Sequence, residues 1–200
     1  MKKQILTLLL TLSAATLSAQ IVPKMNALYL PFGIFNPAVE FPLSPRYTYQ
    51  AEIVYSPWLG FHENGMHKPL HFGIFLNEVR RYFGERNKGW YAAANAGAMG
   101  FNLSKPYLSG GKLRFYDGTA KGFGLMLGIC GGYEYRINDK WLIDCYFGWS
   151  FTASWYNGYF ADGSINMTPH GHENDNPPDP FNGSNEYYPN KIGVSVGYRF

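Results

Sequence analysis

Apolar and polar residues alternate one by one along much of this chain. Between Lys191 and Phe200, the residues Ile192, Val194, Val196, Tyr198 and Phe200 take turns with Lys191, Gly193, Ser195, Gly197 and Arg199. A period of two predicts a β-strand with one apolar and one small or polar face. The same pattern is longer in Trp141 to Tyr156, where Trp141, Ile143, Cys145, Phe147, Trp149, Phe151 and Trp155 share a face opposite Asp144, Tyr146, Gly148, Ser150, Thr152 and Ser154. Phe123 to Ile137 repeats it, and Asn138-Asp139-Lys140 between the two predicts a hairpin. Strands of this length exceed those usual in soluble sheets and suit tilted strands that cross a bilayer.

The earlier segments follow the rule less strictly. Tyr47 to Pro57 places Tyr49, Ala51, Ile53 and Tyr55 outward and Gln50, Glu52 and Ser56 inward. In Gly89 to Leu103, Asn95 is expected inside, which sends Trp90, Ala92, Ala94, Ala96 and Ala98 outward. Leu70 to Phe83 does not hold one phase if Glu78 and Arg80 face in and Phe72, Ile74 and Leu76 face out, so a bulge is expected near Asn77. Lys24 to Leu30 and Pro37 to Leu43, interrupted by prolines, are assigned as the first pair. Short connections (44–46, 84–88, 138–140) alternate with long ones (59–68, 104–118, 157–188), as in barrels with short periplasmic turns and long outer loops. Aromatics collect near both kinds of connection, where two interfacial girdles would lie. The expected fold is all-β: a closed antiparallel transmembrane β-barrel of about eight strands.

The start of the chain changes the picture of where this fold resides. Lys2 and Lys3, an apolar run from Ile5 to Leu12 and a small-residue stretch to Ala19 read as a secretory signal peptide, residues 1–19, cleaved after Ala19. That leaves one domain, residues 20–200, addressed to the cell outer membrane. Aromatic residues make up 18% of the chain although its mean hydropathy is −0.23, as alternating strands require. The net charge is +3, and removal of Lys2 and Lys3 leaves 15 basic against 14 acidic residues, so nucleic acid gains no support as a partner.

Inward parity collects Glu40, Glu52, Glu78, Arg80, Glu134, Arg136, Asp144, Lys191 and Arg199. About eight strands enclose a space that side chains just fill, so these charges are read as a lumenal ion-pair network that rigidifies the wall. The three-residue turn sets Glu134 opposite Asp144, with Arg136 the nearest cation along the wall. Tyr198 and Phe200 are read as the assembly signal, and Tyr159, Phe160, Phe181, Tyr187 and Tyr188 as a surface-binding group on the loop at 157–188. His170-Gly-His172-Glu173 with Asp175 lacks a fixed third ligand, so neither a metal nor a cofactor is assigned. His71 with Ser150 or Ser154 is the alternative of a lipid-modifying enzyme, but no nucleophile, base and orienting group come together. A secreted soluble barrel that holds an apolar ligand is a further alternative. Cys130 faces in and Cys145 out, which predicts two free thiols.

Asn26-Ala-Leu-Tyr29, Asn36-Pro-Ala-Val-Glu-Phe41, Ala51-Glu-Ile-Val-Tyr-Ser-Pro-Trp58, Asn77-Glu-Val-Arg-Arg-Tyr-Phe83 and Lys191 to Phe200 together carry a family likeness. In these motifs the chain resembles small outer-membrane barrels of gram-negative bacteria grouped under a domain of unknown function (3575). The resemblance implies a barrel and a membrane location and lends no catalytic residues. The expected role is therefore non-enzymatic, structural in the envelope or interactive at the surface. The expected protein is a monomer whose partners are outer-membrane lipid, the barrel-assembly machinery and an extracellular partner at the long loop.

Overall fold

The computed structural model describes residues 21–63, 66–104, 106–115, 118–160, 164–166 and 182–200. The strands are β1 (Val22–Asn26), β2 (Pro37–Pro42), β3 (Tyr47–Glu63), β4 (Met66–Tyr82), β5 (Gly89–Leu103), β6 (Pro106–Ser109), β7 (Lys112–Phe115), β8 (Thr119–Arg136), β9 (Trp141–Tyr159), β10 (Ile165–Asn166) and β11 (Asn182–Tyr198). Eight of them, β1 to β5, β8, β9 and β11, form a ring in which each pairs antiparallel with both neighbours, and β1 meets β11 to complete it. Strands β6 and β7 make a separate hairpin within the β5–β8 connection, and β10 lies along the end of β9.

Alternation along the strands sorts the side chains. Asp144, Tyr146, Ser150 and Thr152 of β9 are buried inside, while Trp141, Cys145, Phe147 and Trp149 are exposed outside. Glu134 pairs across β8–β9 with Asp144 as the turn length requires. Cys130 is buried, Cys145 is exposed, and both are free. Asn95 is buried on β5, and Trp90 lies outside.

Three strand assignments need correction. No bulge occurs near Asn77: β4 holds one register against β3 from Arg81 to Leu70. Ile74 and Leu76 therefore face in with Glu78 and Arg80, and Leu76 is buried there with the apolar Val54 and Met126. Irregularities fall instead between Trp58 and Phe61 and between Pro189 and Lys191. At the second, a proline sits beside a bulge, where the ladder does not need its missing N–H. The wall also extends into the segment read as a loop from 157 to 188, since Asn182 to Tyr188 pair with Tyr156 to Ser150. In the first pair, β1 ends at Asn26, short of Leu30.

Close packing inside rests on inward glycines. A Cβ at Gly193 would overlap the Tyr146 ring, and one at Gly132 would overlap Tyr91, so each glycine leaves room for a ring lying across the interior. Gly131, one residue away and outward, has only a backbone oxygen at 3.9 Å from such a position. Gly193→Ala is expected to lower stability by about 1 to 3 kcal/mol through overpacking. Gly131→Ala should stay within about 0.5 kcal/mol of the parent. Urea unfolding, followed by tryptophan fluorescence, checks the contrast.

Candidate functional site

Inward side chains from seven strands, β1 to β4, β8, β9 and β11, meet in a buried charge cluster. Arg80 of β4 is its hub. Its Nε lies 2.7 Å from Glu78 Oε1, and its Nη1 lies 2.6 Å from Asp144 Oδ2, 3.2 Å from Glu134 Oε1 and 3.4 Å from Glu40 Oε2. Lys24 of β1 approaches the same carboxylates from the other side, with Nζ 2.5 Å from Glu40 Oε2 and 3.0 Å from Asp144 Oδ2, and also pairs with Glu134. One step along the wall, Lys191 Nζ lies 2.7 Å from both Glu52 Oε2 and Glu78 Oε2. Glu78 thus links the two groups.

Aromatic hydroxyls and amides occupy much of what remains of these carboxylates. Tyr82 Oη donates to Glu40 Oε1 at 2.8 Å, and Tyr91 Oη donates to Asp144 Oδ1 at 2.9 Å. Asn87, in the β4–β5 turn with φ 55°, reaches in from below to donate to Glu40 Oε1 at 3.1 Å. A short polar side chain tolerates that left-handed backbone better than most. Asn36 Nδ2 and Gln50 Nε2 donate to the two oxygens of Glu52 at 3.0 and 3.1 Å. The Arg80 guanidinium also lies 4.5 Å from the Tyr91 ring centre. Buried charges persist in a low-dielectric interior only when paired and hydrogen-bonded in this manner.

The cluster spans the interior of the ring. Arg80 on β4 touches Asp144 on β9, and Lys24 on β1 touches Glu134 on β8, so side chains meet across the interior rather than along its wall. All eight charged groups are at most 4% exposed. They comprise five carboxylates and three cations.

Of the residues expected in this network, Glu40, Glu52, Glu78, Arg80, Glu134, Asp144 and Lys191 lie together in it. Arg136 and Arg199 do not. Arg136 sits at the rim, 3.2 Å from the exposed Glu85 and 3.2 Å from the Arg86 carbonyl, where it ties β8 to the β4–β5 turn. Arg199 follows the last strand; its N–H donates to the Lys140 carbonyl and its guanidinium approaches that of Asp139 at 3.5 Å. Both are too close to the strand ends to reach the charged layer, and Lys24 supplies the cation expected of Arg136. Lys24 is not legible from alternation because its strand is short and contains Pro23. Tyr91 could have been found, since it shares the parity of Asn95.

The aromatic group read as a loop surface is divided by the wall. Tyr188 pairs with Ser150 and faces in, Tyr187 pairs with Phe151 and is exposed outside, and Tyr159 lies in β9 beside the exposed Phe160. Phe181, His170 and His172 lie outside the described residues. Tyr198 and Phe200 meet edge to face outside near the short turns, the Tyr198 ring centre lying 5.0 Å from those of both Trp141 and Phe200. Among the described residues no group of three or more His, Cys, Asp or Glu is arranged to hold a metal.

Comparison with known proteins places residues 4–200 within the family described as Protein of unknown function (DUF3575). No curated protein matches the chain. No solved structure matches it either.

Replacing Arg80 by Met leaves four carboxylates around a lost cation and is expected to destabilise the fold by about 3 to 5 kcal/mol. Arg136→Ala breaks only an exposed pair, with an expected cost of about 0 to 1 kcal/mol. Unfolding midpoints of the two variants, measured side by side, test this ranking.

Proposed function

The chain belongs to the DUF3575 family, and from the geometry of its ring we propose that it is a transmembrane β-barrel of the gram-negative outer membrane with a plugged lumen. Its role is non-enzymatic: it stiffens the envelope or presents its outer connections to a surface partner. The observation that carries this reading is the outer face. Leu125, Leu127 and Ile129, successive outward residues of β8, are 54%, 64% and 69% exposed, and Ile53, Phe75, Phe147, Trp149 and Val194 continue the apolar surface round the ring. In water a patch of this extent would drive association, whereas lipid requires it.

The polar residues agree. On the outward face of the described strands, ionisable groups stay near the ends: Arg81 by the short turns, and His71 and Lys121 towards the long connections. Asn77 is the outward amide between them, and the Tyr49 hydroxyl of the paired strand donates to its Oδ1. Such pairing is what a polar group facing hydrocarbon needs. A soluble barrel that holds an apolar ligand would show the reverse arrangement, polar outside and apolar inside.

Signal cleavage after Ala19 would deliver the mature protein to the insertion machinery, which reads the terminal aromatics Tyr198 and Phe200. Tyr159 and Phe160, on the side of the long connections, are candidates for contact with a surface partner. Val196→Asp places a charge on the lipid face, at a cost below the roughly 2 to 4 kcal/mol of a basic residue at mid-bilayer. That variant, and deletion of Phe200, should each sharply reduce the folded fraction recovered in outer membranes, read by heat-dependent gel mobility. Recovery of the parent protein in the soluble periplasmic fraction would refute the membrane reading.

A further inference from the structure

The short connections gather at one end of the ring, and the charge there is lopsided. In 43–46, 83–88 and 137–140, with the strand ends Arg136 and Arg199, the cations are Arg46, Arg86, Lys88, Arg136, Lys140 and Arg199, against the carboxylates of Glu85 and Asp139. With Lys2 and Lys3 removed, the chain holds 15 basic and 14 acidic residues, so the excess belongs to this end and not to the chain as a whole.

Hydrogen bonds join the turns into one surface. The Arg86 N–H donates to the Pro45 carbonyl at 3.3 Å, which sets the β4–β5 turn against the β2–β3 turn and Arg46. Arg136 Nη2 donates to the Arg86 carbonyl at 3.2 Å and brings the β8–β9 hairpin to the same place. The Arg199 N–H donates to the Lys140 carbonyl at 2.7 Å and adds the end of β11. Arg46, Lys88 and Lys140 are exposed, and Arg86, Arg136 and Arg199 are partly so. Partial burial, and then the like charges of Arg136 and Arg86, hold the Arg199 guanidinium below the ordinary arginine range, while Glu85 and Asp139 act in the opposite sense.

One of these cations already holds a carboxylate. Glu85 Oε1 lies 3.2 Å from Arg136 Nη1, and the Glu85 side chain is 62% exposed. An exposed pair of this kind is worth little, so a carboxylate from outside can take the place of Glu85. Guanidinium suits that exchange because two of its N–H groups can meet both oxygens at once.

Parity decides which anion reaches the arginines. Arg136 shares the phase of Glu134, and Arg199 that of Ser195 and Gly197, which puts both on the inner side of the wall at the mouth of the ring. Trp141, Tyr198 and Phe200 stand on the outer side at the same height. Headgroups of a surrounding bilayer meet that outer side, so an anion at the arginines arrives from the water beyond the mouth.

We propose that this end is a docking surface for carboxylates and that its partner is the peptide–glycan wall of the periplasm, whose peptide stems carry free carboxylates, with Arg86, Arg136 and Arg199 as the binding residues. This rests on the transmembrane reading above, which turns the short connections towards the periplasm. A repeating polymer suits cations spread over three turns, since several weak contacts made together bind far more tightly than any one of them.

The test uses the full mature protein in phosphatidylcholine nanodiscs, which leave both ends accessible, and wall sacculi stripped of protein. The nanodiscs are expected to sediment with the sacculi. Raising the salt from about 0.1 to 1 M, which shortens the screening length from about 10 to 3 Å, should release them. Converting the wall carboxyls to amides should weaken sedimentation at least tenfold, and so should the triple variant Arg86→Gln/Arg136→Gln/Arg199→Gln. Arg81→Gln, on the outer face, should leave it unchanged. Glu85→Gln removes the internal competitor and should strengthen it several-fold. Absence of sedimentation, or sedimentation indifferent to amidation and to Glu85→Gln, would overturn the proposal even if the triple variant did not fold. A folded triple variant that sediments like the parent would show that these cations serve only the fold. Retention of phosphatidylglycerol from mixed-lipid nanodiscs, with no binding to sacculi, would overturn the choice of the wall in favour of lipid headgroups. Failure of the parent to enter nanodiscs would instead reject the transmembrane reading, and this inference with it.

Discussion

Arg80 sets the dimensions of this fold. Its guanidinium reaches carboxylates on β2, β8 and β9 while its own strand supplies a fourth, Glu78. A guanidinium can do this only where opposite walls come within one side-chain length of it, so the charged layer and the small circumference require each other. Buried ion pairs add little stability relative to a well-packed apolar core of the same volume. What they impose is arrangement, because any shift that moved Arg80 or Lys24 away from these partners would leave buried charges uncompensated.

The same narrowness explains why glycine and tyrosine recur together inside. Tyr91 and Tyr146 lie across the space, and Gly132 and Gly193 stand where the rings need clearance. Each tyrosine also ends in a polar contact, Tyr91 at Asp144 and Tyr146 near Asn26. An aromatic body with a polar tip suits the junction between charged and apolar layers.

How much of this was legible in the sequence depended on strand length. In β8, β9 and β11, parity alone placed Glu134, Asp144 and Lys191 inside, because the opposite face is apolar through the part of each strand that carries them. In β4 parity misled, since it rested on the idea that inward means polar; Ile74 and Leu76 face in because the interior beside the charges also takes apolar side chains, Val54 and Met126 among them. Lys24 lay in a strand of five residues, too short for a period to assert itself, and its role depends on partners more than a hundred residues away. Arg136 and Arg199 had suitable parity but the wrong height, and height along the axis is set by register among several strands, which no single strand reveals. The asparagines at 26 and 36 stood in the motifs that carried the family likeness, but their hydrogen bonds to the backbone of β11 and β3, Asn26 to Ile192 and Val194 and Asn36 to Ile53, become visible only once the ring is assembled.

The seam where the ring joins its two ends has a kinetic meaning. Lys24, Met25 and Asn26 pair with Gly197, Val196 and Ser195, the contacts most distant in sequence of any in the wall and among the shortest ladders. Bringing such distant segments together carries a large loop-closure entropy before any pairing rewards it. It follows that this joint forms last and parts first. Lys24, reaching from β1 to β8 and β9, fastens the joint from within, so the lifetime of the folded state is governed less by the long hairpins than by one short strand and the lysine it carries.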